Sequence, residues 1–148
     1  MDPIKYPRTF HLPWSQSVTS DDKVCQTLQH FEGHQVVVTE KMDGENTTMY
    51  RDHIHARSLD SKGGEDRAWV KQFWSQIHND IPEGWRICGE NLWAKHSVSY
   101  FDLKSYFYGF SIWDCSNLAL SWGDTVEYFG MLGVCPVPVL YSGIWNEA

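Results

Sequence analysis

The chain has 148 residues, of which 42% are hydrophobic and 21% are charged. This balance predicts one globular domain with its own core. The net charge of −7 excludes a protein that coats nucleic acid through bulk charge, although it leaves room for a local basic groove. We expect a cytoplasmic protein with reduced thiols and no membrane partner, because no signal peptide, membrane span or CxxC pair is visible.

The first half of the chain alternates between apolar runs and turn signals. The predicted elements are a proline-containing extended arm (1–18), a helix (19–33), a β-hairpin (35–51) and a third strand (53–59). In this prediction the dipeptide Asp43-Gly44 forms the tight turn of the hairpin.

The second half predicts two clear helices among strands. The predicted elements are a helix (66–80), a strand (84–94), an aromatic strand (105–114), a helix capped by Ser121 and stopped by Gly133 (121–133), and a short final strand (134–143). Prolines in the final strand argue against an interior position in a sheet. The mixed order favours an α+β fold with largely antiparallel sheets and flanking helices, built as a single domain over 1–148.

Lys41 stands beside the predicted turn, between Glu40 and Asp43. A lysine amine is a nucleophile only when it is deprotonated, and nearby carboxylates favour the protonated form. Taken alone, the pattern KxDG favours an ordinary surface lysine, because a pattern of four positions that are only loosely specified often occurs by chance.

Three further residues have both a chemical and a plain interpretation. Glu90 lies in a Gly-Glu-Asn turn, where it could hold a sugar hydroxyl or a metal, or be a polar residue at a strand end. Arg57 ends an alternating strand, where a guanidinium can bind phosphate. Phe110 lies in an aromatic strand that could stack on a base, although such strands more often form core.

The order of these residues resembles the covalent nucleotidyltransferase superfamily. Within it the sequence is most similar to ATP-dependent RNA ligases of the phage RNA ligase 2 and RNA-editing ligase type. The first motif of that family, Glu-Lys-x-[Asp/His]-Gly-x-Asn, is complete over residues 40–46. The resemblance covers about residues 35–115 and implies an adenylyltransferase (ATP-grasp-like) domain. Glu40 and Asn46 favour an RNA ligase over a DNA ligase or a capping enzyme.

The resemblance implies a role for each matching residue. Lys41 would attack the α-phosphate of ATP and form a covalent lysyl–AMP, with Mg²⁺ as the metal cofactor. The AMP would then move to an RNA 5′-phosphate, and an RNA 3′-OH would displace it, as in RNA repair. The implied nucleotide-binding roles are adenine recognition for Glu40, a position near the reacting phosphate for Asn46, contact with the nucleotide or RNA end for Arg57, contact with ribose for Glu90 and stacking on adenine for Phe110.

Two motifs of that family do not appear in this sequence. One carries a metal-binding glutamate, and the other carries two lysines that hold the α-phosphate, whereas no lysine follows Lys104. We therefore expect the N-terminal part of a C-terminally incomplete domain, which needs a missing segment or a partner chain for ligase activity. The alternative is a non-catalytic module that binds nucleotides or RNA ends. A purely structural domain would require the motif order to be chance.

Overall fold

The computed structural model describes residues 3–16, 18–20, 22–57, 67–93, 100 and 103–146. Its strands are β1 (Gln35–Thr39), β2 (Glu45–Met49), β3 (Ile54–Ala56), β4 (Arg86–Asn91), β5 (Phe107–Trp113), β6 (Cys135–Pro136) and β7 (Val139–Ile144). Its α-helices are α1 (Ala68–Ile77) and α2 (Trp122–Leu132), and short 3-10 turns cover Gln29–Phe31 and His78–Asp80. The mixed α+β class is confirmed.

The larger of two compact units consists of Met1–Tyr6 and Glu40–Pro138. It contains a five-stranded sheet in the order β3-β2-β4-β5-β6, antiparallel except for the pairing of β5 with β6. One face of this sheet packs on both helices through a buried apolar cluster. That cluster includes Met49, Ile87, Phe107 and Ile112 from the sheet, Val70 and Ile77 from α1, and Phe129 and Leu132 from α2.

The smaller unit consists of Pro7–Thr39 and Val139–Ala148. Its two strands, β1 and β7, pair antiparallel, and the Trp145 N–H donates to the carbonyl of His34 at 2.9 Å. Each of the two units therefore combines segments that are distant in sequence. The assignment of residues 1–148 to one nucleotidyltransferase domain stays a prediction.

The helices of the second half form as the sequence predicts. The Ser121 hydroxyl accepts from the Asp124 N–H at 3.2 Å, and Gly133 ends α2 with φ of 79°. These are the expected side-chain cap and left-handed glycine stop. The strands predicted over 84–94 and 105–114 are also confirmed as β4 and β5. In the described part of the chain, no helix combines the length and apolar composition that crossing a bilayer requires.

The helix predicted over 19–33 is wrong, since the described part of this segment holds only the 3-10 turn at Gln29–Phe31. The backbone here bonds elsewhere: the His11 N–H donates to the Lys23 carbonyl, and the Cys25 N–H donates to the His11 carbonyl, both at 2.8 Å. The Asp22 carboxylate also accepts from the Thr19 N–H at 2.9 Å. Local and cross-chain hydrogen bonds thus replace the helical ladder.

The hairpin predicted over 35–51 is also wrong. β1 pairs with β7, whereas β2 pairs with β3 and β4, so the two runs belong to different sheets. The segment between them, which carries Lys41, connects the two sheets instead of closing a turn. The final strand is split as well: β6 is an edge strand of the larger sheet, and β7 follows Pro138.

Candidate active site

Lys41 is exposed on a segment that is fixed on both sides. Before it, the Glu40 N–H donates to the carbonyl of Pro138 at 2.9 Å. After it, the side chain of Met42 is buried, and the Asp43 N–H donates to the Tyr100 hydroxyl at 2.6 Å. Backbone hydrogen bonds and a buried neighbour therefore hold the backbone of Lys41 in place and leave its amine in solvent.

The burial of Met42 comes from residues far away in sequence. Its side chain packs with Leu92, Tyr108 and Val137 in a second apolar cluster, and Phe110 lies against the same cluster. The Lys41 segment is thus attached to β5 through side-chain packing. Such attachment limits the conformational entropy that the segment would lose on binding a ligand.

Gly44 is required by close packing and not by a turn. A Cβ atom at this position would lie 2.3 Å from the carbonyl oxygen of Asn91 and 2.9 Å from a methyl of Leu92. Gly44 is absent from the residues with positive φ, so the left-handed region favoured by glycine is not the reason for it. The motif glycine lets the start of β2 approach the end of β4.

Asn46 and Glu90 face each other across β2 and β4. They are directly paired in register, which puts their side chains on the same face of the sheet. The next pair on this face, Thr48 and Cys88, is confirmed by a 3.8 Å contact between Oγ1 and Sγ. This face is opposite to the one that packs on the helices, because strand residues alternate.

Glu90 has an unusual electrostatic environment. Burial raises the pKa of its carboxyl to about 7, the charge of Lys41 opposes this rise, and Asp43 and Glu45 add to it. The carboxyl is therefore close enough to sense the amine of Lys41. Carboxyls with such raised pKa values are concentrated at functional sites.

Phe110 lies at an irregularity in the pairing of β4 with β5. Cys88 pairs with Ser111 and Gly89 pairs with Gly109, so Phe110 is the extra residue of a β-bulge. Bulges turn a side chain out of the regular alternation. The half-buried ring of Phe110 lies against the Met42 cluster, close to the Lys41 segment.

Arg57 extends this polar face beyond the end of β3. Its backbone N–H donates to the backbone carbonyl of Asn46 at 3.1 Å. Among the described residues, Arg57 Nε and Asn46 Oδ1 are buried without a hydrogen-bond partner. Buried polar atoms of this kind need a partner. A phosphate would supply an acceptor for Arg57 Nε, and a ribose hydroxyl would supply a donor for Asn46 Oδ1. The residues present therefore fit a nucleotide.

No group of three His, Cys, Asp or Glu side chains suited to a metal ion occurs in the described part of the chain. Mg²⁺ usually takes one or two protein carboxylates together with substrate phosphates. Asp43 and Glu90 fit that pattern, since Asp43 is close enough to raise the pKa of Glu90, whereas both oxygens of Glu45 are bonded to Arg67.

The structure thus brings five of the six predicted site residues, Lys41, Asn46, Arg57, Glu90 and Phe110, to one face of the larger sheet and the segment beside it. Glu40 is fixed through its backbone. Sequence reasoning missed Tyr100, whose hydroxyl holds Asp43, and Met42, whose burial orients the segment. The apolar Met42 inside a polar motif was the only available signal for the second.

Comparisons with known proteins agree on one family. The family model described as RNA ligase matches residues 34–148. Among solved structures, Naegleria gruberi RNA ligase with ATP and Mn, in a lysine-to-alanine mutant, matches with a TM-score of 0.66 and 21% identity over 81% of this chain. A glutamate-to-alanine mutant of that ligase with AMP and Mn matches with a TM-score of 0.57 and 19% identity over 81% of this chain.

This chain spans 40% of the length of each of those two solved structures. A search of curated proteins finds no match. The fold is that of the nucleotidyltransferase domain of RNA ligases. The chain belongs to the RNA ligase family.

Proposed function

We propose that this chain supplies the nucleophile and the nucleotide-binding face of an ATP-dependent RNA ligase. The observation that carries the proposal is the position of Lys41 on a doubly anchored segment, within electrostatic reach of Glu90. Family membership over residues 34–148 supports it. The chain spans 40% of the matched structures, so the sealing of RNA is a further part of the proposal.

In the proposed first step, the uncharged amine of Lys41 attacks the α-phosphorus of ATP. A nitrogen–phosphorus bond forms, the bond to pyrophosphate breaks, and the amine loses a proton to solvent. The AMP then passes to an RNA 5′-phosphate, which frees Lys41, and an RNA 3′-OH displaces AMP to form the phosphodiester. Covalent catalysis of this kind divides one difficult transfer into easier steps.

The remaining site residues bind and orient the nucleotide in this proposal. Phe110 stacks on adenine and Glu40 recognises its edge, since flat aromatic rings bind bases through their faces. Glu90 accepts from a ribose hydroxyl. Arg57 donates to a phosphate, and Asn46 lies near the reacting phosphate. Mg²⁺, held by the phosphates and nearby carboxylates, would offset negative charge when bound.

Labelling with ATP tests the proposed nucleophile. We expect the protein, incubated with α-labelled ATP and Mg²⁺ and then denatured, to retain label that Lys41→Ala removes completely. Lys104→Ala is the matched control, because Lys104 is an exposed lysine of the same unit outside this site. Absence of label on the wild-type chain, or equal label on Lys41→Ala, would contradict catalysis by this chain.

The second candidate function is nucleotide binding without catalysis, which the buried Arg57 Nε and Asn46 Oδ1, both without a hydrogen-bond partner, also support. ATP should then raise the melting temperature without leaving label. Phe110→Ala should weaken ATP binding roughly tenfold or more, since stacking of one base on an aromatic ring contributes about 1–3 kcal/mol. Phe10→Ala removes an exposed ring from the smaller unit. ATP should raise the melting temperature of this variant as much as it raises that of wild type. A wild-type melting temperature unaffected by ATP would rule out this function.

A further inference from the structure

The N-terminal arm of the larger unit lies on the polar face of the five-stranded sheet. The Ile4 N–H donates to the hydroxyl of Tyr50 at 2.7 Å. Tyr50 is itself fixed, because it is buried and its carbonyl accepts from Trp74 Nε1 at 2.6 Å. Tyr50 follows Thr48 by two residues, so it belongs to the face that carries Asn46. This anchor holds the arm next to the candidate site.

Tyr6, at the end of this arm, contacts the site residues themselves. Its ring meets that of Phe110 edge to face, with centroids 5.2 Å apart and an angle of 80° between the planes. Its hydroxyl shares a hydrogen bond with Ser111, and Cys88 and Glu90 are close enough to affect it. Burial is the main reason that the pKa of Tyr6 is raised, so the hydroxyl keeps its proton at neutral pH.

This contact affects Phe110 because of the β-bulge. Phe110 is the extra residue between two cross-strand pairs, so no residue of β4 is paired with it. Aromatic pairs have preferred relative orientations, and an edge-to-face neighbour restricts the angle of a ring. Together with the Met42 cluster, Tyr6 therefore restricts the plane that Phe110 offers to a flat ligand.

We propose that Tyr6 is a positioning residue for the nucleoside half of the nucleotide. The inference rests on the proposed function, because it takes Phe110 as the ring that stacks on the base. Tyr6 restricts the plane of Phe110 and lies close to Glu90. Tyr6 is thus part of the nucleoside-binding site, although it is distant in sequence from the motifs.

Binding measured by calorimetry with three probes tests this role. We expect Tyr6→Ala to weaken the binding of ATP and of adenosine by about tenfold, which is the fold-change expected for loss of an aromatic pair. Inorganic tripolyphosphate should bind to this variant as it does to wild type, because Tyr6 acts on the nucleoside half. Tyr6→Phe keeps the ring contact, so ATP binding should stay within about threefold of wild type. Tyr6→Leu, which keeps apolar volume without the ring, should behave like Tyr6→Ala.

Two control variants separate positioning from general damage to the fold. Lys5→Ala changes the neighbouring exposed residue of the arm, and Tyr106→Ala removes a tyrosine that packs on Trp69 and Trp93 instead. Both should bind ATP as wild type does. Wild-type protein that binds neither ATP nor adenosine would overturn the proposed function, and this inference with it. Two results would overturn the inference alone. One is ATP binding like that of wild type by Tyr6→Ala and Tyr6→Leu, and the other is binding of tripolyphosphate that is weakened as much as binding of adenosine.

Discussion

Glu90→Gln is expected to raise the melting temperature of the free protein at pH 8 and to weaken its binding of nucleotide. The cause of the first effect is burial, which raises the pKa of the Glu90 carboxyl to about 7 from an ordinary value of 4.5. The lower stability of wild type at pH 8 is the cost of ionising this buried carboxyl. Gain of stability with loss of binding distinguishes a functional residue from a structural one.

The direction of the pH dependence follows from this raised pKa. The protonated carboxyl is favoured in the folded protein, so its stabilising contribution is complete below about pH 4.5 and is lost as pH rises through about 7. At pH 8 the ionised carboxylate costs the folded state about 2 kcal/mol, after allowance for partial exposure to solvent. Glutamine removes this cost and should raise the melting temperature at pH 8 by about 5 °C.

Melting temperatures from pH 4.5 to pH 8 check this prediction. The gap between Glu90→Gln and wild type should be small at pH 4.5 and should open as pH rises through 7. Glu127→Gln is the matched control, because it removes an exposed carboxyl from α2 and keeps the Glu90 environment intact. A gap that is constant with pH, or equal in both variants, would refute the buried-carboxyl account. The nucleotide affinity of Glu90→Gln, measured at pH 8, separately tests the expected loss of binding.

Gly44→Ala is expected to lower the free energy of unfolding by about 3 kcal/mol, at the upper end of what overpacking usually costs. The added Cβ would lie 2.3 Å from the Asn91 carbonyl oxygen, and this backbone belongs to the central strand β4. The clash cannot be relieved by rotating a side chain, so β2 and β4 must separate. Since these strands carry Asn46 and Glu90, we also expect weaker nucleotide binding.

Urea unfolding of Gly44→Ala and Gly130→Ala measures this effect against a matched change. Gly130 is an exposed glycine of α2, and a Cβ there meets nothing within 4 Å. Alanine at that position should stabilise the protein by up to about 1 kcal/mol, because glycine is a poor helix former. Equal effects of the two substitutions would mean that close packing at Gly44 is not the reason for the motif glycine.

The elements with purely local signals were predictable from sequence. α2 has its serine cap, its apolar face and its glycine stop within thirteen residues, and β4 and β5 are rich in residues that favour strands. The predicted helix over 19–33 failed because its backbone bonds to His11. The predicted hairpin failed because the turn signal of Asp43-Gly44 is local, whereas the pairing of β1 with β7 joins residues about one hundred positions apart.

The candidate nucleophile was named from the sequence, whereas its surroundings could not be. Lys41, Asn46 and Glu90 became candidates through the resemblance to RNA ligases, since Lys41 taken alone favoured an ordinary surface lysine. Their placement in one site depends on the register of β2 with β4 and on the bulge at Phe110. The raised pKa of Glu90 depends on burial, which no single segment specifies.

The sequence by itself determined the class of fold and the two helices of the second half, because short-range periodicity encodes both. Its resemblance to RNA ligases named the candidate site residues. Only the tertiary structure decided that the Lys41 segment connects two sheets, that Gly44 is needed for contact with Asn91, and that Tyr6 meets Phe110. Each of these depends on atoms brought together from distant parts of the chain. The free energy of such contacts depends on distances and burial, which arise only when the whole chain packs.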